Sequence, residues 1–313
     1  MGISEAIKQK ALELGFDAVG ITDASAIDFE HQEYLENWLK AGFAGQMSYM
    51  HRNFEKRINP AELLEGASSV IVCALNIKPR EEKIVRQELN GRVANYARYD
   101  DYHIFIKKLL HKLADFAASQ VGGKIDFKIC VDSVPLAERA VAQRAGVGFI
   151  GKNHMLINPS IGPAMLLGEI ITTIDLDADE PLKINCEGCN KCIEACPSGA
   201  LMADGRFDAN KCISYLTIEY KGKIAAELAE KIGNRLFGCD ECVLACPYYE
   251  RGPVCANKNF KFYPERGHLD LNDILKMSSE QFDAKFDDSP IHRSGAEVLK
   301  RNAAVCLDNI RRR

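Results

Sequence analysis

Two cysteine runs constrain this chain more than any other feature. The first is Cys186-x2-Cys189-x2-Cys192-x3-Cys196-Pro197, and the second is Cys239-x2-Cys242-x3-Cys246-Pro247. The first has the spacing of two-cluster bacterial ferredoxins, in which three thiolates cap one four-iron cube and the fourth reaches the neighbouring cube. Gaps of two residues let a turning backbone offer successive thiolates to different irons of one cube, and the proline redirects the chain as it leaves. The second run repeats the end of the first without a local first cysteine, and Cys212 is the only unassigned cysteine nearby. By the crossing rule, Cys186, Cys189, Cys192 and Cys246 hold one [4Fe–4S] cluster, and Cys196, Cys212, Cys239 and Cys242 hold the other. Structural zinc is the alternative, because C-x2-C pairs are common zinc ligands. Two successive runs ending C-x3-C-P are not a zinc pattern, so clusters are the preferred reading.

The remaining four of the 12 cysteines, Cys73, Cys130, Cys255 and Cys306, are scattered. A disulfide framework would call for a small exported chain. The opening MGISEAIKQKALELG instead reads as an amphipathic helix carrying both charge signs, without the apolar centre of a signal peptide. No apolar run approaches the length of a membrane span. These features predict a cytoplasmic protein that does not enter the membrane. At 313 residues, with 47% hydrophobic and 27% charged residues, the chain can build two ordinary packed cores. Its formal net charge of −4 sets up no global basic field, which neither proposes nor excludes a nucleic-acid partner.

Hydrophobic patterning divides the chain. Ile3–Leu14 has helical periodicity and stops at Gly15; Phe16 opens a short strand. Ser69–Leu75 is a continuous β-branched apolar run, the mark of a buried strand. Tyr102–Ser119 predicts an amphipathic helix with Ile104, Ile106, Leu109, Leu110, Leu113 and Phe116 on its apolar face. Phe127–Val131 reads as a strand ending at Asp132, the next helix starts near Leu136 and closes at Gly146, and Met165–Ile174 is β-prone. The acidic DLDADEP ending at Pro181 reads as a linker, and Gly295–Arg311 as a final helix. Gly146-x-Gly148-x-x-Gly151 matches a dinucleotide fingerprint and nearly a phosphate loop, but it follows a helix and opens none, so both are rejected.

Longer segments resemble the epoxyqueuosine reductases, cobalamin-dependent iron–sulfur enzymes that complete queuosine formation in tRNA. The matching stretches are EKRINP (55–60), YARYDDYH (96–103), VDSVPLAERAVAQRAGVGFIGKN (131–153), LLGEI (166–170), CISYLTIE (212–219), IGNRLFGCDECVLACP (232–247) and SPIHRSGAEVLKRNAAV (289–305), together with both cysteine runs. They cover nearly the whole chain, in order. Arg139 stands near a position where the family usually carries lysine. Some members bear a C-terminal helical-repeat domain, and this chain resembles the short form.

The resemblance implies an α+β protein. Residues 1–178 would form a cobalamin-binding, nitroreductase-like sheet-and-helix domain. Residues 179–250 would form a ferredoxin-like domain with two [4Fe–4S] clusters, and 251–313 a loop and helix extension packing on the catalytic domain. The implied partner is tRNA carrying epoxyqueuosine at the anticodon wobble position, with an unidentified low-potential electron donor and a monomeric chain. Asp101-x-His103 begins a cobalt-histidine motif but lacks its glycine, so no histidine is expected on cobalt. Opening an epoxide requires an acid, and Asp132 matches the family's; the alternative is an aspartate capping the following helix. The family contacts cobalamin at positions matching Arg57, Tyr96, Lys152, Asn153, Met155 and Ser214, and Asp132 and Asp240 would also face the corrin. Arg57 reads equally as a surface charge, Tyr96 as a core aromatic and Ser214 as a helix cap. Lys221 and Lys223 would touch RNA phosphate or simply form a solvated loop. Two rival functions stand beside this one: a corrinoid iron–sulfur reductase of a small molecule, and a non-catalytic two-cluster electron carrier.

Overall fold

The computed structural model describes residues 2–80, 89–122 and 124–312. Its strands are β1 (Ala18–Asp23), β2 (Ser69–Asn76), β3 (Asn90–Val93), β4 (Phe127–Cys130), β5 (Phe149–Ile150), β6 (Leu156–Ile157), β7 (Met165–Thr172), β8 (Arg235–Phe237) and β9 (His268–Asp270). The main sheet has the order β1-β2-β7-β4 with every pairing antiparallel. Every residue of β2 is buried, because helices cover both faces of the sheet. The two-residue alternation of a strand sorts its side chains. Ile71, Cys73 and Leu75 join the core formed with Ile7, Ala11, Ile106, Leu110 and Leu113. Val70, Val72 and Ala74 join the opposite core, built on Val141, Ala145, Cys130 and Ile171.

The helix Tyr102–Gln120 buries Ile106, Leu109, Leu110, Leu113, Ala114 and Ala117. Ile104, expected on that face, is 68% exposed, because it falls outside the stripe these residues define. Asp101 caps this helix, its Oδ1 accepting the His103 N–H at 2.9 Å. That cap sets Tyr102 and His103 in the first turn.

A second core is assembled from distant parts of the chain. β3 pairs in parallel with β8 and antiparallel with β9. Val93, Ile213, Leu216, Leu236, Phe237, Leu271, Leu299 and Ala303 bury together around it. The tail after residue 250 therefore divides. Phe260 packs in the first core, whereas the final helix, Ala296–Arg311, packs against β8 and the helices Ile213–Ile218 and Ala226–Ile232. Fully buried Asn302 ties it there, donating to the Thr217 and Leu236 carbonyls at 2.8 and 3.0 Å. No described helix is long and apolar enough to cross a membrane.

The glycine motif rejected above leads into the β5–β6 hairpin, which has no helix N-terminus to receive a phosphate. Gly151 lies in its bend, where a Cβ would stand 2.4 Å from Ile157 Cδ1 and 3.4 Å from Cys186 Sγ.

Candidate active site

The cysteine runs fold as two short helices in contact, Lys191–Glu194 and Glu241–Leu244. Cys192 and Cys196, like Cys242 and Cys246, lie four residues apart across one such turn, a rise of about 6 Å. Each run therefore offers thiols to two separate places. Pro247 then occupies the first position of a new helix, Pro247–Arg251, where its missing N–H costs nothing.

Cys186, Cys189, Cys192 and Cys246 line one cavity of about 230 Å³. Burial, and then the neighbouring Cys186 and Cys189 thiols, push the Cys246 thiol up. Cys196, Cys212, Cys239 and Cys242 line a second cavity, of about 460 Å³. There burial, followed by Cys212, Cys239, Asp240 and Cys196, drives the Cys242 thiol up, and burial pushes Cys239 up to about 11. The eight thiols thus fall into two quartets that cross between the runs. Among the described residues no three His, Cys, Asp or Glu side chains gather around a single-ion site. The thiols stand instead on the walls of cavities. Gly238 delivers Cys239 through a positive φ of 70°, and a Cβ there would lie 2.6 Å from Ala94 Cβ.

The second cavity runs from its four thiols to Asp132, with Tyr96, Tyr102, Asn153, Met155, Leu166, Ser214 and Asp240 also on its walls. A mainly apolar wall bearing a few polar groups, at this volume, suits a large ligand. Asp240 is half-buried between two cysteines, and its Oδ2 accepts the Asn95 N–H at 2.7 Å. Burial raises its pKa.

Asp132 follows β4 in the left-handed region, at φ 56°. Its Oδ2 accepts from the Tyr102 hydroxyl at 3.0 Å, meets His103 Nε2 at 3.1 Å and lies 3.6 Å from Arg293 Nη1. Burial opposes its ionisation, but His103, Tyr102 and Arg293 outweigh that and hold the carboxyl below its ordinary value. Conversely, burial works against a charged His103 while the Asp101 and Asp132 carboxylates raise it. His103 Nδ1 donates to Asp101 Oδ1 at 2.6 Å. When charged, His103 shares its Nε2 proton with Asp132. When neutral, Nε2 accepts from Arg293 Nη1, which touches it. Asp101, His103 and Asp132 can thus share a proton at the edge of the cavity.

The capping alternative for Asp132 does not survive. The helix starts at Glu138 with Ala137 as its N-cap, and no side chain caps it. Ser214 is not the cap of its helix either; Cys212 holds that place. Tyr96, Asn153, Met155, Ser214 and Asp240 share the cavity with Asp132, whereas Lys152 and Arg57 do not line it. Lys152 lines the first cavity, with its N–H 3.4 Å from Cys186 Sγ and its Nζ on Asn190. Arg57 sits behind the loop after Asp132, its carbonyl accepting from Ala137. Lys221 Nζ is spent on the Ile218 and Ser294 carbonyls, and Arg301 fixes the same loop through the Tyr220 and Gly222 carbonyls. Lys223 is exposed beside it. Sequence reading missed Tyr102, His103 and Arg293 as partners of Asp132. The one available signal was that all three fall within the family-like segments 96–103 and 289–305.

Comparison with known proteins follows the same lines. The family described as "Epoxyqueuosine reductase QueG, DUF1730" matches residues 57–133, and "4Fe-4S double cluster binding domain" matches residues 185–249. The chain is 38% identical over 311 residues to the epoxyqueuosine reductase of Pseudomonas aeruginosa, covering 98% of this chain and 85% of that one. It is also 38% identical over 303 residues to that of Leadbetterella byssophila, covering 96% and 97%. Among solved structures it resembles an epoxyqueuosine reductase crystallised with an epoxyqueuosine-modified tRNA-Tyr stem loop. The TM-score is 0.91 at 33% identity, with 98% of this chain and 81% of that one covered.

Proposed function

The chain belongs to the epoxyqueuosine reductase family, oxidoreductases that convert epoxyqueuosine in tRNA to queuosine, and we propose that it performs this reduction in the cavity joining the Cys196 quartet to Asp132. The observation that carries this reading is the continuity of that cavity. Four thiols suited to a [4Fe–4S] cluster form one end, and Asp132, which can share a proton with His103, forms the other. Converting an epoxide to an alkene consumes two electrons and two protons and releases water, so both must arrive at one place.

Cobalamin, implied by the family resemblance, would supply in this cavity a reduced metal centre nucleophilic enough to open a strained ring. Asn153, Ser214 and Asp240 would hold its polar edge, with Tyr96 and Met155 against its apolar surface. His103 has Nδ1 engaged by Asp101 and Nε2 by Asp132 and Arg293, so it would serve the proton relay rather than hold the group. The quartet of Cys186, Cys189, Cys192 and Cys246 would take electrons from the donor and pass them to the second quartet. Asp132, recharged through His103, would place a proton on the opening oxygen, because an alkoxide left in a dry pocket is costly.

Titrating cobalamin into anaerobically prepared protein tests the reading. We expect saturable binding of about one corrinoid per chain, followed by absorbance, alongside roughly eight irons from two four-iron sets. Iron without corrinoid binding would leave the chain a two-cluster electron carrier and overturn the proposal. For the RNA we assign a phosphate contact to Lys223, because Lys221 is already committed to carbonyls. Stem-loop affinity should fall with salt, and Lys223→Ala should lessen that salt dependence while Lys221→Ala changes it less. Equal effects of the two substitutions would remove the assignment.

A further inference from the structure

Behind Asp132 lies a feature that the reduction chemistry does not use. Glu169 sits in the middle of β7, paired with Val72 on one side and Cys130 on the other, and is 0% exposed. Neither of its carboxyl oxygens meets an N–H or O–H donor among the described residues. The carboxyl set against it is that of Glu138, the first residue of the helix packed on this face of the sheet; burial and then the Glu138 charge raise the Glu169 pKa. Two carboxylates are both acceptors, so such a contact holds only when a proton lies between them. Glu138 has a second engagement: its Oε1 accepts the backbone N–H of Asp132 at 2.6 Å. That N–H belongs to the residue whose backbone adopts the uncommon left-handed conformation.

We propose that Glu138 and Glu169 form a proton-sharing carboxyl pair that pins the Asp132 backbone in its left-handed conformation and thereby aims the Asp132 carboxylate into the cavity. Glu169 anchors the pair to a strand paired on both sides, Glu138 transmits the position, and Asp132 alone meets substrate. Both glutamates are positioning residues, and their value rests on the role proposed above for Asp132. A loop residue of unfavourable φ stays put only where its surroundings hold it, and here the Asp132 N–H does so by donating to the Glu138 carboxyl on the neighbouring helix.

The proton is retained for clear reasons. Burial pushes the Glu138 carboxyl up to about 7, and the Asp132 carboxylate adds to it, while Arg139 opposes. Burial and then Glu138 raise Glu169 well above the ordinary range. Arg57 faces Glu138 from the helix Phe54–Ile58, and the thiol of Cys130 on β4 lies on the same face of the sheet as Glu169. Both glutamates are raised, so the native state binds more protons than the unfolded chain between the ordinary carboxyl range and the pair's own value. Stability contributed by the shared proton is therefore full below the ordinary carboxyl range and is lost as pH rises through the pair's raised value.

Two measurements on protein without substrate, and one with it, test the pair. Infrared difference spectra at neutral pH should show a protonated carboxyl that disappears in Glu169→Gln. The melting temperature of the wild type should fall with rising pH more steeply than that of Glu169→Gln. Glu138→Gln can accept from Asp132 with its oxygen and donate to Glu169 with its amide. It should turn over within about threefold of wild type, whereas Glu138→Ala should lose roughly a hundredfold, the usual cost of a misplaced catalytic group. No protonated carboxyl in the infrared, an unchanged melting slope, or Glu138→Ala as active as Glu138→Gln would each overturn the pair. The first two readouts need no turnover, so they decide the matter even if the assignment of Asp132 as acid fails.

Discussion

Asp132→Asn is expected to lower single-turnover epoxide reduction by roughly a hundred- to ten-thousand-fold, the usual worth of general acid catalysis, and to leave iron content and melting temperature near wild type. The substitution keeps size and an acceptor for Tyr102 and Arg293, but it can neither take a proton from His103 nor release one. Fold is spared because Asp132 caps no helix: the next helix begins at Glu138 with Ala137 before it. The proton belongs to the Asp132–His103 dyad, as a coupled pair whose imidazole is raised by two carboxylates. Wild-type turnover should therefore decline as pH rises through the dyad's value, above the ordinary histidine range. Turnover of Asp132→Asn close to wild type would end the catalytic assignment.

The second large effect concerns the crossed quartets. Replacing Cys246 by serine should damage the same cluster as Cys189→Ser, although Cys246 lies in the other run. Cys212→Ser should damage the same cluster as Cys239→Ser. Each variant should lose one of two components in the paramagnetic spectrum of the reduced protein, with up to about four of eight irons, and nearly all turnover. The basis is that Cys246 shares a cavity with Cys186, Cys189 and Cys192, while Cys196 shares one with Cys212, Cys239 and Cys242. If Cys246→Ser and Cys239→Ser removed the same component, each run would serve its own cluster and the partition would be wrong.

Much of this was legible from the sequence, for identifiable reasons. β2 announces itself because a strand buried on both faces must be apolar throughout, and Ser69–Leu75 is nearly so. The cluster cysteines are legible because ligand spacing is local, set by one turn of backbone. What stays hidden depends on distant partners. β3, β8 and β9 are three or four residues long, too short for any periodicity, and they pair across more than 140 residues of chain. Tyr102, His103 and Arg293 reach Asp132 from 29 to about 160 residues away, and nothing local marks them. Glu169 reads as an interruption in the apolar β7, and its meaning appears only when Glu138 is set against it. Lys221 looked like a free basic group until the fold placed two carbonyls around its amine.

The central claim is that electrons from the Cys196 quartet and a proton from Asp132 meet an epoxide in one cavity. The direct measurement is anaerobic single turnover of a reduced, cobalamin-loaded chain on an anticodon stem-loop carrying epoxyqueuosine, followed by mass spectrometry of the released nucleoside. The account predicts a product lighter by one oxygen atom, formed by the wild type and suppressed in Asp132→Asn and Cys212→Ser. An unchanged nucleoside mass with the fully loaded wild-type chain would contradict it.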